Sequence, residues 1–145
     1  VIDKAKSYLV GWRNHEISAA LAREGYDIVV SPGQAYYLDM SQAIDWAEPG
    51  ASWAGISSPE KTYRFDPTGG WSDAERAHFL GIQACIWSEP MADRAIFDRL
   101  VFPRLSAIAE TAWTPAADKS WERFRAIAGM MPILYGWQDL AGGEG

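Results

Sequence analysis

Three short apolar runs constrain this chain more than any other feature: Ser7–Trp12, Asp27–Ser31 and Gly81–Trp87. Each reads as a buried strand, with β-branched residues densest in the second. Between the first two, residues 15–24 put Ile17, Ala20 and Leu21 on one helical face, and Gly25 is placed to end that helix. Pro32 and Gly33 break the second run. Strand, helix and strand with tight connections form a parallel βαβ unit, so the fold class is α/β. At 145 residues the chain has the size of one domain. A chain of that size buries about 68–70% of its unfolded surface. A closed parallel barrel needs eight strand–helix units and about 250 residues. Three units cannot close, which leaves a small open α/β domain or a slice of a larger fold.

The remaining segments alternate helix signals with loops. From Gln34 to about Gly70 the chain shows no clear periodicity and holds Tyr36, Tyr37, Trp46, Trp53, Tyr63 and Phe65, with Pro49, Pro59 and Pro67. A loop this long is functional or disordered, and its aromatics argue against disorder. Ser72 is placed to cap a helix over 73–79, with Asp73 and Glu75 in its first turn. A longer helical stretch covers 93–113, where Pro103 should start a new segment or kink the helix. Ser120 should cap a final amphipathic helix carrying Trp121, Phe124, Ile127, Ala128 and Met131, and Ala141–Gly145 should fray.

Charge and composition narrow the function classes. A net charge of -6 disfavours nucleic acid and anionic membranes, which need clustered Lys and Arg. No run of about 18 apolar residues marks a membrane span, and no basic stretch ahead of an apolar core marks a signal peptide. Compartment stays unassigned. The single cysteine, Cys85, sits in an apolar run and reads as a buried inert thiol. His15 and His78 are isolated, so neither a metal site nor a cofactor is expected; His15 reads as an exposed helix residue. The unusual quantity is 13% aromatic residues, including eight Trp. Indole stacks on flat apolar faces while its N–H reaches a polar group, and pyranose rings offer such faces.

In parallel α/β folds the site lies at the carboxyl ends of the strands. The first run ends at Trp12, the second releases Tyr37 and Asp39, and the third ends in Trp87 and Glu89. Spacing of two puts aromatic and carboxylate on one side of an extended segment. An aromatic wall beside a carboxylate suits a sugar, through stacking on C–H faces and charge-assisted hydrogen bonds to hydroxyls.

The stretches Gly11–Glu16, Gly25–Pro32, Tyr37–Asp39, Ser52–Gly55, Tyr63–Pro67, Gly81–Ala84 and Trp87–Glu89 appear in that order, followed by Phe102–Arg104 and by Ala109 and Glu110 through to Trp113. Together, over about residues 8–115, they resemble the C-terminal part of the catalytic domain of family 20 glycoside hydrolases, the β-N-acetylhexosaminidases. The resemblance implies a partial (β/α)8 barrel, about its last three strand–helix units, over 1–115, with a terminal helix and tail over 116–145. It implies that Trp12 walls the pocket for the 2-acetamido group. Tyr37 would hydrogen-bond the acetamido oxygen, the nucleophile of this substrate-assisted family. Asp39 and Glu89 would hold hydroxyls on the C4–C6 side, Trp53 would stand near the aglycone entrance, and Trp87 would form the pocket floor. Arg104 and Glu110 also match, and read as a structural ion pair or solvated positions.

The family's general acid belongs to an Asp-Glu pair at an earlier strand end, and no Asp-Glu dipeptide occurs here. The resemblance therefore implies a parent that hydrolyses terminal β-linked N-acetylglucosamine or N-acetylgalactosamine, with this chain inactive alone. A slice of a barrel would expose sheet edges that invite self-association. The competing class is a non-catalytic carbohydrate-binding or structural α/β module.

Overall fold

A computed structural model of the protein describes residues 2–134; the expected fraying at Ala141–Gly145 lies outside them. Strand β1 (Tyr8–Gly11), helix α1 (His15–Arg23) and strand β2 (Asp27–Val30) form the expected βαβ unit. Asn14 caps α1, its side chain accepting from the Ile17 N–H, and Gly25 follows with φ +85°. Strand β3 (Phe79–Ile82) completes a parallel sheet of order β1-β2-β3.

Two expectations about the strands need correction. β3 starts earlier than the Gly81–Trp87 run, although an extended segment carries on from it to a parallel bridge between Tyr37 and Cys85. β1 is not buried on both faces: Tyr8 is 60% exposed and Val10 37%. Among the described residues β1 is an edge strand with α1 packed on one side, which leaves Tyr8 and Val10 open on the other.

The pairing of β2 with β3 shifts register between Ile28 and Val29. Ile28 stands opposite Phe79 and Val29 opposite Gly81, leaving Leu80 over. This extra residue reverses the alternation of β3. Phe79 and Ile82, three apart, both pack against the core cluster of Ala22, Ile28, Val30 and Trp71. From Gly81 onward the odd-numbered residues face the opposite side of the sheet.

The region read as irregular contains two short helices, α2 (Gly33–Tyr36) and α3 (Pro59–Arg64). Ser72 does cap α4 (Asp73–Arg76), shorter than expected, in a full capping box with Glu75. The long helical stretch divides at Pro103 into α5 (Arg94–Val101) and α6 (Arg104–Trp113), with a cis Phe102–Pro103 peptide between them. Helix α7 (Trp121–Leu134) packs its Phe124 against Tyr63 and Ala107. A second core cluster of Ala35, Tyr36, Leu38, Val101 and Ile108 lies behind the chain leaving β2. No helix among the described residues is long and apolar enough to cross a membrane.

Candidate functional site

Beyond the carboxyl ends of the three strands lies an open cavity of about 720 Å³. Trp12, Tyr37, Asp39, Trp53, Trp87 and Glu89 all line it, together with Val10, Ala51, Gln83, Cys85 and Pro90. Trp12 follows β1. Tyr37 and Asp39 follow α2, the turn that redirects the chain after β2. Trp87 and Glu89 end the segment that extends β3.

The aromatic rings support one another around Tyr37. Trp53 meets Tyr37 edge-on at 5.7 Å and Trp12 edge-on at 6.4 Å, while Trp87 lies 6.4 Å from Tyr37 at 40°. The three indoles remain about half exposed, yet Tyr37 is 6% exposed. Burial pushes the Tyr37 hydroxyl above its ordinary range, and the neighbouring Cys85 adds to this while a hydrogen bond with Trp87 opposes it. Two glycines make room. A Cβ on Gly33 would lie 2.7 Å from the Trp53 ring, and one on Gly50, where φ is +114°, would lie 2.7 Å from Ser41 N and 2.9 Å from Asp39 O.

Asp39 is 3% exposed, and its Oδ1 has no hydrogen-bond partner among the described residues. Burial raises its pKa and the charge of Glu89 raises it further, whereas Arg104 and backbone N–H groups including that of Trp87 pull the other way. A buried carboxylate oxygen without a partner is an unmet acceptor in a residue that lines the cavity.

The loop carrying Asp39, Ala51 and Trp53 is tied at its base. Ala51 N–H donates to Asp39 O at 2.8 Å, Ser41 N–H to Ala51 O at 2.8 Å, and Ser57 N–H to Ser41 O at 2.9 Å. Arg104 closes this base. It is fully buried and donates to the carbonyls of Leu38 at 2.7 Å, Ser57 at 3.0 Å and Leu100 at 3.0 Å. Burial pulls its pKa down to about 10, which leaves it charged at neutral pH. The reading of Arg104 and Glu110 as an ion pair or solvated pair is therefore corrected. Arg104 serves backbone carbonyls, while Glu110 accepts from the Tyr63 hydroxyl at 2.8 Å and pairs with Arg123 at 3.3 Å.

His15 also departs from expectation. It is half-buried, with Nε2 2.7 Å from Gly69 O and 3.1 Å from Trp71 Nε1, because α1 packs against α4 and the turn before it. Cys85 is half-buried and lines the cavity, so it is not the enclosed thiol the apolar run suggested. Gln83 and Cys85 were legible in principle. Gln83, Cys85, Trp87 and Glu89 fall at every second position and all line the cavity. Among the described residues no group of three or more His, Cys, Asp and Glu gathers to hold a metal ion.

Residues 1–116 match the profile of glycosyl hydrolase family 20, catalytic domain. The chain belongs to that family. It is 34% identical over 103 residues to a β-hexosaminidase of Vibrio furnissii, a match covering 70% of this chain and 17% of the relative. It is 32% identical over 105 residues to a β-N-acetylhexosaminidase of Cellulomonas fimi, covering 72% and 21%. Among solved structures it is similar to the family 20 exo-β-N-acetylglucosaminidase of Vibrio harveyi in complex with N-acetylglucosamine. That likeness has a TM-score of 0.82 at 33% identity and covers 97% of this chain and 22% of that one. The three-stranded parallel sheet and its helices thus have their counterpart in family 20 enzymes, and the chain spans about a fifth of the length of the curated relatives it matches.

Proposed function

We propose that the chain supplies one side of the sugar pocket of a retaining β-N-acetylhexosaminidase, and that residues 1–115 form an arc of its (β/α)8 barrel, followed by a terminal helix and tail. One observation carries this reading: the five residues singled out from the strand ends, and Trp53 from the resemblance, line a single cavity. Trp12 and Trp87 wall and floor the pocket for the sugar and its acetamido group, and Trp53 stands near the aglycone entrance. The Tyr37 hydroxyl donates to the acetamido carbonyl oxygen and holds it beneath the anomeric carbon. That oxygen attacks the anomeric carbon as the glycosidic bond breaks, giving an oxazolinium ion which water then opens with retention. A hydroxyl whose pKa is raised remains protonated and so remains a donor across the neutral range. Asp39 and Glu89 accept from hydroxyls on the C4–C6 side.

The departing oxygen needs a proton, and the Asp-Glu pair that would supply it is not in this sequence. General acid catalysis contributes about 10²–10⁴-fold, so this chain by itself gives no useful turnover. The test compares a chromogenic β-N-acetylglucosaminide incubated with this chain alone and with a polypeptide joining it to upstream barrel strands that end in Asp-Glu. Hydrolysis only by the longer polypeptide is expected. Hydrolysis by these 145 residues alone would overturn the division of labour, and sugar binding without hydrolysis by the longer polypeptide would favour a non-catalytic carbohydrate-binding module.

A further inference from the structure

The cavity wall includes a nucleophile that the proposed reaction does not use. Cys85 is the only cysteine in the chain, and it stands between Gln83 and Trp87 on the face that turns toward the cavity. Its sulfur lies 3.3 Å from Ser31 Oγ and 3.5 Å from Gln83 Nε2. Ser31 has one hydroxyl proton and gives it to Gln83 O at 2.8 Å, so at the Ser31–Cys85 contact the thiol is the donor and Ser31 Oγ the acceptor. Gln83 Nε2–H in turn donates to the sulfur. Tyr37 is the backbone bridge partner of Cys85, and the thiol is among the groups that raise the Tyr37 pKa. A second observation marks this wall as a ligand surface: Asp39 lines the same cavity, is 3% exposed, and leaves Oδ1 unpartnered.

We propose that Cys85 is a covalent modification site opening into the cavity, reached by small neutral electrophiles, and that its adduct and a bound sugar exclude one another. This rests on the sugar-pocket reading above. The chemistry with a maleimide is simple addition: sulfur bonds to one alkene carbon, the C=C π bond is lost, and the thiol proton ends on the neighbouring carbon. With a haloacetamide the S–C bond forms as the carbon–halogen bond breaks, releasing halide and a proton. Two charges select the reagent. Asp39 and Glu89 share the wall and no Lys or Arg among the described residues lines it, so a neutral reagent enters where an anionic one is repelled. The adduct fills cavity space beside Tyr37, and the sulfur, now a thioether, no longer has the proton it gave to Ser31 Oγ.

The experiment treats the chain with N-ethylmaleimide at neutral pH and follows intact mass, one adduct being the maximum for one cysteine. Near-UV circular dichroism and the rate in concentrated guanidinium report whether the chain is folded during labelling, and Cys85→Ala is the blank. Labelling slower than in guanidinium but complete is expected. N-acetylglucosamine at about ten times its dissociation constant should slow it about tenfold, the occupancy factor 1 + [L]/Kd, while sorbitol should not. The labelled chain should lose the tryptophan-fluorescence response to N-acetylglucosamine that the unlabelled chain and Cys85→Ala retain. A folded chain that binds the sugar but does not label, or binds it equally once labelled, overturns the thiol site and leaves the sugar reading intact. A chain that labels while N-acetylglucosamine neither binds nor protects overturns the sugar reading and the exclusion built on it.

Discussion

At the scale of single residues, the site rests on two buried charged groups with opposite duties. Asp39 faces the cavity with one oxygen unpartnered, and its raised pKa has a definite sign in linkage. The folded state holds this proton to a higher pH than the unfolded state, so stability falls as pH rises from the ordinary carboxylate value through the raised one. Asp39→Asn should therefore hold or raise stability at neutral pH while weakening N-acetylglucosamine binding. A hydrogen bond to a charged acceptor is worth about 1.5–3 kcal/mol, which is about a ten- to hundredfold rise in Kd. Chemical denaturation and fluorescence titration on one sample measure both; a fall in stability with unchanged affinity would contradict this assignment. Arg104 works away from the cavity. Arg104→Met strands the carbonyls of Leu38 and Ser57 and leaves that of Leu100 with only the longer bond from Gln42. At about 1–3 kcal/mol for each buried group left unsatisfied, unfolding should become easier by about 3 kcal/mol or more, read as a drop in urea midpoint. The Phe102–Arg104 stretch announced that Arg104 mattered. It could not announce the partners, because two of the three carbonyls, those of Leu38 and Ser57, come from distant parts of the chain and leave no pattern in sequence.

At the scale of elements, caps and glycines were legible and lengths were not. Ser72 and Glu75 stand three apart ahead of a helix, and the structure closes them into a capping box that also engages Arg23, with Arg23 Nη2 2.6 Å from Glu75 Oε1. The Ser72 hydroxyl and N–H hold the Glu75 carboxyl down to about 2 from 4.5. A depressed acid contributes stability that is present above its unfolded value and lost as pH falls toward its folded one. Glu75→Gln should thus be less stable than the parent at neutral pH, with the difference shrinking between about 4.5 and about 2. Urea midpoints across that range check it, and a difference that does not change with pH would refute it. The helix itself is only four residues long, Asp73–Arg76, shorter than its periodicity suggested.

At the scale of the whole molecule, a three-stranded parallel sheet has β1 and β3 as open edges among the described residues. Leu80 is 56% and Ile86 45% exposed, beside the exposed Tyr8 and Val10 of β1. Unpaired backbone groups next to exposed apolar side chains template association. The chain on its own should elute in size-exclusion chromatography above the size of a 16.1 kDa monomer, with the excess shrinking on dilution. A clean compact monomer at every concentration would contradict the reading of this sheet as an arc of a barrel.

The sequence by itself determined the parallel βαβ unit and which aromatic and carboxylate residues follow its strands, because periodicity and turn chemistry are local. It also carried the family, through the order of its motifs. Which residues share a wall was decided only by the tertiary structure. A single extra residue at Leu80 lets Phe79 and Ile82 occupy the same core face and turns Gln83, Cys85, Trp87 and Glu89 toward the cavity. A register shift depends on the partner strand's packing, which no segment of sequence contains. Arg104 and Cys85 changed meaning for the same reason, since burial and neighbours are properties of the assembled fold.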